Sequence, residues 1–265
     1  MSSSVDIGTL SVVGGGNMGA ALIGGLIAAG VPASSIVVVE VDAQKRASLE
    51  SSFGVRTSET IVTTDGAVIA VKPQGAVDVC GELAKAGVAR MLSIAAGISL
   101  ASLEKVANGA AVVRAMPNTP ALVREGASAI SAGSSCAASD VEWARTILSA
   151  VGVVVQVPED QIDAVTAVAG SGPGYLFLFA EAFVAAAINE GLSPDIADAL
   201  VRQLFRGAGA LLASSDESPA VLRERVTSPN GTTAAGLAVF EGDGIRHLVQ
   251  KAVAAAASRS RELGA

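Results

Sequence analysis

Two stretches of this chain carry residue types and spacings that can do chemistry. The first is Gly14-Gly-Gly16-Asn-Met-Gly19, which follows the β-rich run Thr9–Val13 and opens a helical pattern. Glycine at these spacings allows a tight turn, close approach of backbone to a phosphate, and close packing of helix on strand. Free N–H groups at the helix start then face the anion. The second stretch, Thr227-Ser-Pro-Asn-Gly-Thr-Thr-Ala-Ala-Gly-Leu237, puts hydroxyl residues and an Asn-Gly turn before an alanine-rich helix. It reads either as a capped helix start or as a cradle for a carboxylate, since both use the same N–H groups.

The surroundings of the glycine motif favour a dinucleotide. A second strand, Ile36–Val39, ends at Glu40, where a carboxylate can bond a ribose 2′-hydroxyl. Asp42 is a second candidate for that role, whereas Lys45 and Arg46 offer charge for a 2′-phosphate, so NADH and NADPH both stay open. Val71-Lys72-Pro73, Ser93-Ile-Ala95-Ala-Gly97 and Arg114-Ala-Met-Pro-Asn118 each follow a strand. Such segments share the carboxyl edge of a parallel sheet, where ligands bind. The small residues at 95–97 leave room for a nicotinamide ring, and Asn118 offers a donor and an acceptor to its amide.

What is missing narrows the chemistry. The one histidine, His247, lies in a late helix, and no Lys or Arg occurs from Glu159 to Glu190. No Ser-His-Asp set, metal cluster or Schiff-base lysine stands out. Cys80 and Cys136 form neither a disulfide framework nor a zinc site and suit a reducing cytoplasm. A net charge of −7 argues against nucleic acid and anionic membrane as partners. The uncharged stretch from Ile7 to Val39 lacks a basic leader and is broken by glycines. The apolar run from Tyr175 to Ile188 falls short of the ~20 residues that span a bilayer. A soluble protein is expected.

These segments need a scaffold. Strand patterns at 9–13, 36–39, 66–71, 91–95, 111–114, 126–130 and 153–157 alternate with helical ones, which implies βαβ units and a mostly parallel sheet. After Pro158 the pattern is helical throughout: 159–168, 174–190, 194–213, 219–226, 232–240 and 244–262. Two domains are expected, 1–157 for the dinucleotide and 158–265 for substrate, with a flexible glycine break at Gly170-Ser-Gly-Pro-Gly174.

Six motifs occur in order: Gly14–Gly19, Ala70-Val-Lys-Pro73, Ala95-Ala-Gly97, Arg114–Asn118, Gly170-Ser-Gly-Pro173 and Ser228-Pro-Asn-Gly-Thr-Thr233. Together they resemble the pyrroline-5-carboxylate reductase family over nearly the whole chain. The resemblance implies a Rossmann-type N-terminal α/β domain and an all-α C-terminal domain that dimerises with a second copy, within a possible ring of dimers. It implies NADPH- or NADH-dependent reduction of 1-pyrroline-5-carboxylate to L-proline. The positions matching the cofactor side are Gly14, Gly15, Gly16, Asn17, Met18, Gly19, Lys72, Ala95 and Asn118, beside Glu40, Val71 and Pro73 read from the sheet edge. Those matching the substrate side are Glu159, Ser228, Gly231, Thr232 and Thr233, with Thr233 catalytic and no metal. Two departures are Asn230, where members usually carry Gly, and Thr57-Ser58, where they often carry an Asn. A β-hydroxyacid dehydrogenase would need a lysine between 159 and 190. A non-catalytic nicotinamide-binding protein would have no use for the hydroxyl cluster.

Overall fold

Short runs of Val, Ile and Leu form the inner strands, because β-branched side chains suit a pleated surface buried on both faces. In the computed structural model, which describes residues 7–264, β1 (Leu10–Val13), β2 (Ile36–Val39) and β4 (Gly66–Ile69) are buried at every position. Between β2 and β4 lies β3 (Arg56–Ser58), a polar three-residue strand that the sequence pattern does not announce. β5 (Arg90–Ser93), β6 (Ala111–Met116), β7 (Gly126–Ala132) and β8 (Gly152–Gln156) complete an eight-stranded sheet of order β3-β2-β1-β4-β5-β6-β7-β8. All pairs are parallel except β6–β7, where Val113 faces Ala132 in an antiparallel ladder. That reversal follows from the short Pro117–Glu125 connection, too short for a helical crossover.

Helices α1 (Asn17–Ala28), α2 (Ala43–Phe53), α3 (Pro73–Lys85), α4 (Leu100–Glu104) and α5 (Ala138–Ser149) link the strands. Leu22, Ile23 and Leu26 of α1 are fully buried, as is Ile147 of α5. Burying each such side chain stabilises the fold by about 1.5–3 kcal/mol. Trp143 of α5 lies against Gly66, donates its indole N–H to the Ile7 carbonyl at 3.2 Å, and stacks under Arg90 at 5.1 Å.

The helical segment begins with a short turn at Glu159–Gln161, then α6 (Ile162–Val165), a π-helical turn at Thr166–Gly170, and α7 (Gly172–Asn189). The expected glycine break is thus a continuous helix with one wide turn, closed by Ser171 N–H to Thr166 O at 2.8 Å. A π turn absorbs an extra residue without ending the helix. The remaining helices are α8 (Pro194–Ser214), α9 (Pro219–Arg225), α10 (Thr232–Gly242) and α11 (Ile245–Gly264). Packing divides the chain into two units: residues up to Ser171 together with the end of α11 from Ala256, and Gly172–Ala255. In the first unit the end of α11 is anchored by Ser260 Oγ–H to Asp163 Oδ1 at 2.6 Å.

The second unit is unlike the first in what it buries. Among its described residues only Ala197 and Val201 are buried apolar side chains. Leu176, Phe177 and Leu178 of α7 and Leu200, Leu204 and Leu211 of α8 are exposed, although Phe183 and Phe205 meet edge-on at 6.1 Å. Exposed apolar area of this extent marks an interaction surface.

Candidate active site

The glycine turn is built by sterics. Gly14 has φ +105°, and a Cβ there would lie 2.6 Å from the Ala70 carbonyl oxygen, so only glycine fits against β4. Gly19 packs so closely on the Gly14 carbonyl that a methyl group would overlap it. Gly16, by contrast, has nothing within 4 Å of where a Cβ would stand. It is the N-cap of α1 and contributes no side chain, and no side chain caps the first turn of that helix. An uncapped helix start beside an open backbone is a fitting receptor for a pyrophosphate.

A cleft of about 1100 Å³ opens there, across the carboxyl ends of the strands. Gly14, Gly16, Asn17 and Met18 form one wall, and Val71, Lys72 and Pro73 another. Lys72 caps α3 with Pro73 at its first position, so the chain turns sharply and stiffly away from the edge of β4. Ile94, Ala95, Ala96, Met116 and Pro117 line a small-residue end, where a flat ring fits without competing side chains. Glu40 at the end of β2, Lys45 on α2 and Glu59 after β3 line the cleft as well. The volume, the open Gly16 backbone and the uncapped α1 fit a dinucleotide.

Of the residues expected on the cofactor side, Gly15, Gly19 and Asn118 do not line this cleft. The Gly15 N–H donates to Glu40 Oε2 at 3.0 Å, which couples the turn to β2. Asn118 is nine-tenths buried and has both ends of its carboxamide engaged. Nδ2 donates to the Ala169 carbonyl at 3.0 Å, and Oδ1 accepts from the Ala127 N–H at 2.9 Å. Its side chain joins β7 to the π-helical turn. Gly170 in that turn abuts Met116, so the turn touches the small-residue end of the cleft.

Glu159, expected among the substrate-side residues, binds protein groups. Its Oε1 accepts from the Leu100 N–H at 2.7 Å and from Arg114 Nη1 at 2.8 Å. It therefore serves the start of α4 and pairs with a largely buried arginine on β6. Sequence reasoning quoted Arg114 but gave it no role. Its position in an apolar strand, where a charge needs a partner, was the available signal.

The loop from Val226 to Gly231 links α9 to α10. Thr227 ends α9, with its hydroxyl donating to the Arg223 carbonyl at 2.6 Å. A turn closes by Gly231 N–H to Ser228 O at 3.0 Å, and Asn230 sits at φ +58°, a left-handed conformation that Asn tolerates. Gly231 is the N-cap of α10 and packs against the Ser228 hydroxyl, where any larger residue would collide. No side chain caps α10 either. Ser228, Thr232 and Thr233 are exposed around this start. Glu241 at the other end of α10 is fixed by two bonds from Arg246, at 2.7 and 3.0 Å, which hold its carboxyl below the usual range.

A Rossmann sheet with an uncapped glycine turn over an open edge cleft defines a nicotinamide-dependent oxidoreductase. Residues 9–97 match the family described as NADP oxidoreductase, coenzyme F420-dependent, and residues 159–263 match pyrroline-5-carboxylate reductase dimerisation. The chain is 45% identical to the pyrroline-5-carboxylate reductase of Pseudomonas aeruginosa, over 96% of both proteins. It superimposes on the crystallised pyrroline-5-carboxylate reductase of Coxiella burnetii with a TM-score of 0.93, at 35% identity over 98% of this chain and 100% of that one. The Plasmodium falciparum enzyme, solved with NADP bound, gives 0.82 at 27% identity over 97% and 98%. The chain belongs to the pyrroline-5-carboxylate reductase family.

Proposed function

We propose that this protein reduces 1-pyrroline-5-carboxylate to L-proline with NAD(P)H, the last step of proline biosynthesis. The observation that carries the reading is the pair of uncapped helix starts, α1 and α10, joined with full-length family membership. One suits a pyrophosphate and the other a substrate carboxylate.

The residues have little acid–base work to do. A cyclic imine protonated on its ring nitrogen is already an electrophile, so positioning dominates. A reduced nicotinamide held in the cleft would supply hydride for C5, and the protonated imine would become a neutral ring amine. Backbone N–H groups of Thr232 and Thr233 hold the carboxylate at the start of α10. Ser228 and Gly231 shape the turn that presents them. The Thr233 hydroxyl bonds the ring nitrogen and keeps it oriented as its charge changes. Glu159 fixes Arg114 and the start of α4.

The exposed leucines and phenylalanines of α7 and α8 meet a second copy, making a homodimer through the 158–265 domain. Among the described residues one helix, Glu159–Asn189, is long and apolar enough to cross a membrane by length and composition. It lies inside the dimerisation match, so a partner subunit is the cover proposed for it. A soluble cytoplasmic enzyme follows, in line with two free cysteines. Mixing the protein with pyrroline-5-carboxylate and each reduced cofactor, and following cofactor oxidation and proline, tests the reading. No turnover with either cofactor would refute it.

A further inference from the structure

We propose that this chain selects the dinucleotide lacking a 2′-phosphate, taking NADH over NADPH, and that Glu40 makes the selection. The inference rests on the reading that the edge cleft holds a dinucleotide. In such folds the group that follows the second strand meets the adenosine ribose. Here that group is a carboxylate held in place from two sides. Glu40 Oε2 accepts from the Gly15 N–H at 3.0 Å, and Oε1 accepts from the Asp42 N–H at 3.1 Å. Both bonds fix the carboxylate beside the glycine turn, placed to accept from ribose hydroxyls.

A 2′-phosphate brings about two negative charges and needs donors to replace its water. Three devices could supply them after β2, and two are already spent. The first-turn amides of α2, at Gln44 and Lys45, donate to Asp42 Oδ1 at 2.8 and 3.1 Å. Those bonds hold the Asp42 carboxyl below the usual range, so it stays charged. The Arg46 guanidinium is turned onto the carbonyls of Glu40 and Val41, at 2.7 and 2.9 Å, with Glu59 3.7 Å away. Arg46 does not line the cleft. Among the lining residues that directly follow β2, Lys45 is the cation and Glu40 the carboxylate, with Glu59 after β3 also lining the cleft, while Lys72 and Lys85 line it from α3. One ammonium among two carboxylates, with a third on Asp42, does not make a phosphate site.

Equilibrium binding decides the matter without imine substrate, by titrating the native protein with NADH and NADPH and following nicotinamide fluorescence. NADH is expected to bind at least about tenfold more tightly. Equal affinity, or tighter NADPH, overturns the proposal. Glu40→Ser should weaken NADH and strengthen NADPH, reversing the order. Asp42→Ser keeps a helix cap while removing one charge, and should shift the ratio toward NADPH even where Glu40→Ser fails to fold. An unchanged ratio in a folded Asp42→Ser protein counts against the mechanism. Tight NADH binding with no imine reduction would leave this inference standing and remove the proposed reaction instead.

Discussion

Arg114 on β6 and Glu159 at the start of the helical segment lie 2.8 Å apart, and the same Glu159 oxygen takes the Leu100 N–H. One carboxylate thus ties a strand, a short helix and the entry to the second half of the chain. Arg114 is largely buried, so removing its partner leaves a charge that cannot be rehydrated fully. Glu159→Ala is expected to cost about 2 kcal/mol of stability, and Glu159→Gln less, since the amide oxygen still accepts. Denaturant unfolding of Glu159→Ala, Arg114→Ala and the double variant measures the coupling. Additive losses would show that the pair does not act as one unit.

Gly14→Ala asks the turn to hold φ +105° with a methyl group 2.6 Å from the Ala70 carbonyl. The strain is about 1–3 kcal/mol before the clash is counted, and it falls on the backbone that faces the cofactor. NADH affinity should drop by more than about tenfold while the fold, read by circular dichroism, persists. Gly16→Ala is the comparison: its Cβ meets nothing within 4 Å, so stability should not change although a bound phosphate would be crowded.

The glycine turn and Glu40 were readable because each depends on local order: strand, turn, helix, strand. The bond between Gly15 and Glu40 spans 25 residues but lies within one βαβ unit, whose geometry is predictable. The protein partners of Asn118 were not readable, for the opposite reason. Its partners Ala127 and Ala169 come from β7 and from a π turn that no composition signal marks. β3 escaped notice because Arg56-Thr-Ser58 lacks an apolar pattern and is a strand by pairing with β2 alone. The pairing of Glu159 with Arg114, 45 residues apart, needed the sheet order itself.

The apolar faces of α7 and α8 predict an oligomer whose stability depends on them. Phe177 is 70% exposed and Leu200 57%, so neither supports the single chain by burial. Phe177→Glu and Leu200→Glu should therefore weaken self-association by at least about tenfold, as truncating central apolar anchors does. Sedimentation of both variants at micromolar concentration checks this. Species indistinguishable from the parent would place the interface elsewhere.

Cys80 is fully buried beside Met91 and the Leu103 carbonyl, and burial pushes its thiol from 9.0 up to about 11. In the unfolded chain the thiol loses its proton first, so across that window the native state binds more protons. Stability must then fall as pH rises from 9 toward 11 and be unaffected by this group below 9. Cys80→Ala should flatten that part of the pH profile at a uniform cost from the lost packing. Thiol reagents at neutral pH should modify Cys80 only as fast as the protein opens.

Thr233 is the hydroxyl proposed to meet the imine nitrogen, and it stands exposed at a helix start that no side chain caps, its hydroxyl bonded to none of the described residues. Thr233→Ala removes one hydrogen bond to a group whose charge changes in the reaction, which is worth about 1.5–3 kcal/mol. The loss in kcat/KM for the imine acid should be about 10- to 100-fold, with NADH affinity unaltered. Thr233→Ser restores the hydroxyl and should recover most of the rate. Thr232→Ala keeps the backbone N–H that binds the carboxylate, so a smaller loss, mainly in KM, is expected. If Thr233→Ala kept full kcat/KM, the positioning role would pass to the backbone of this turn alone.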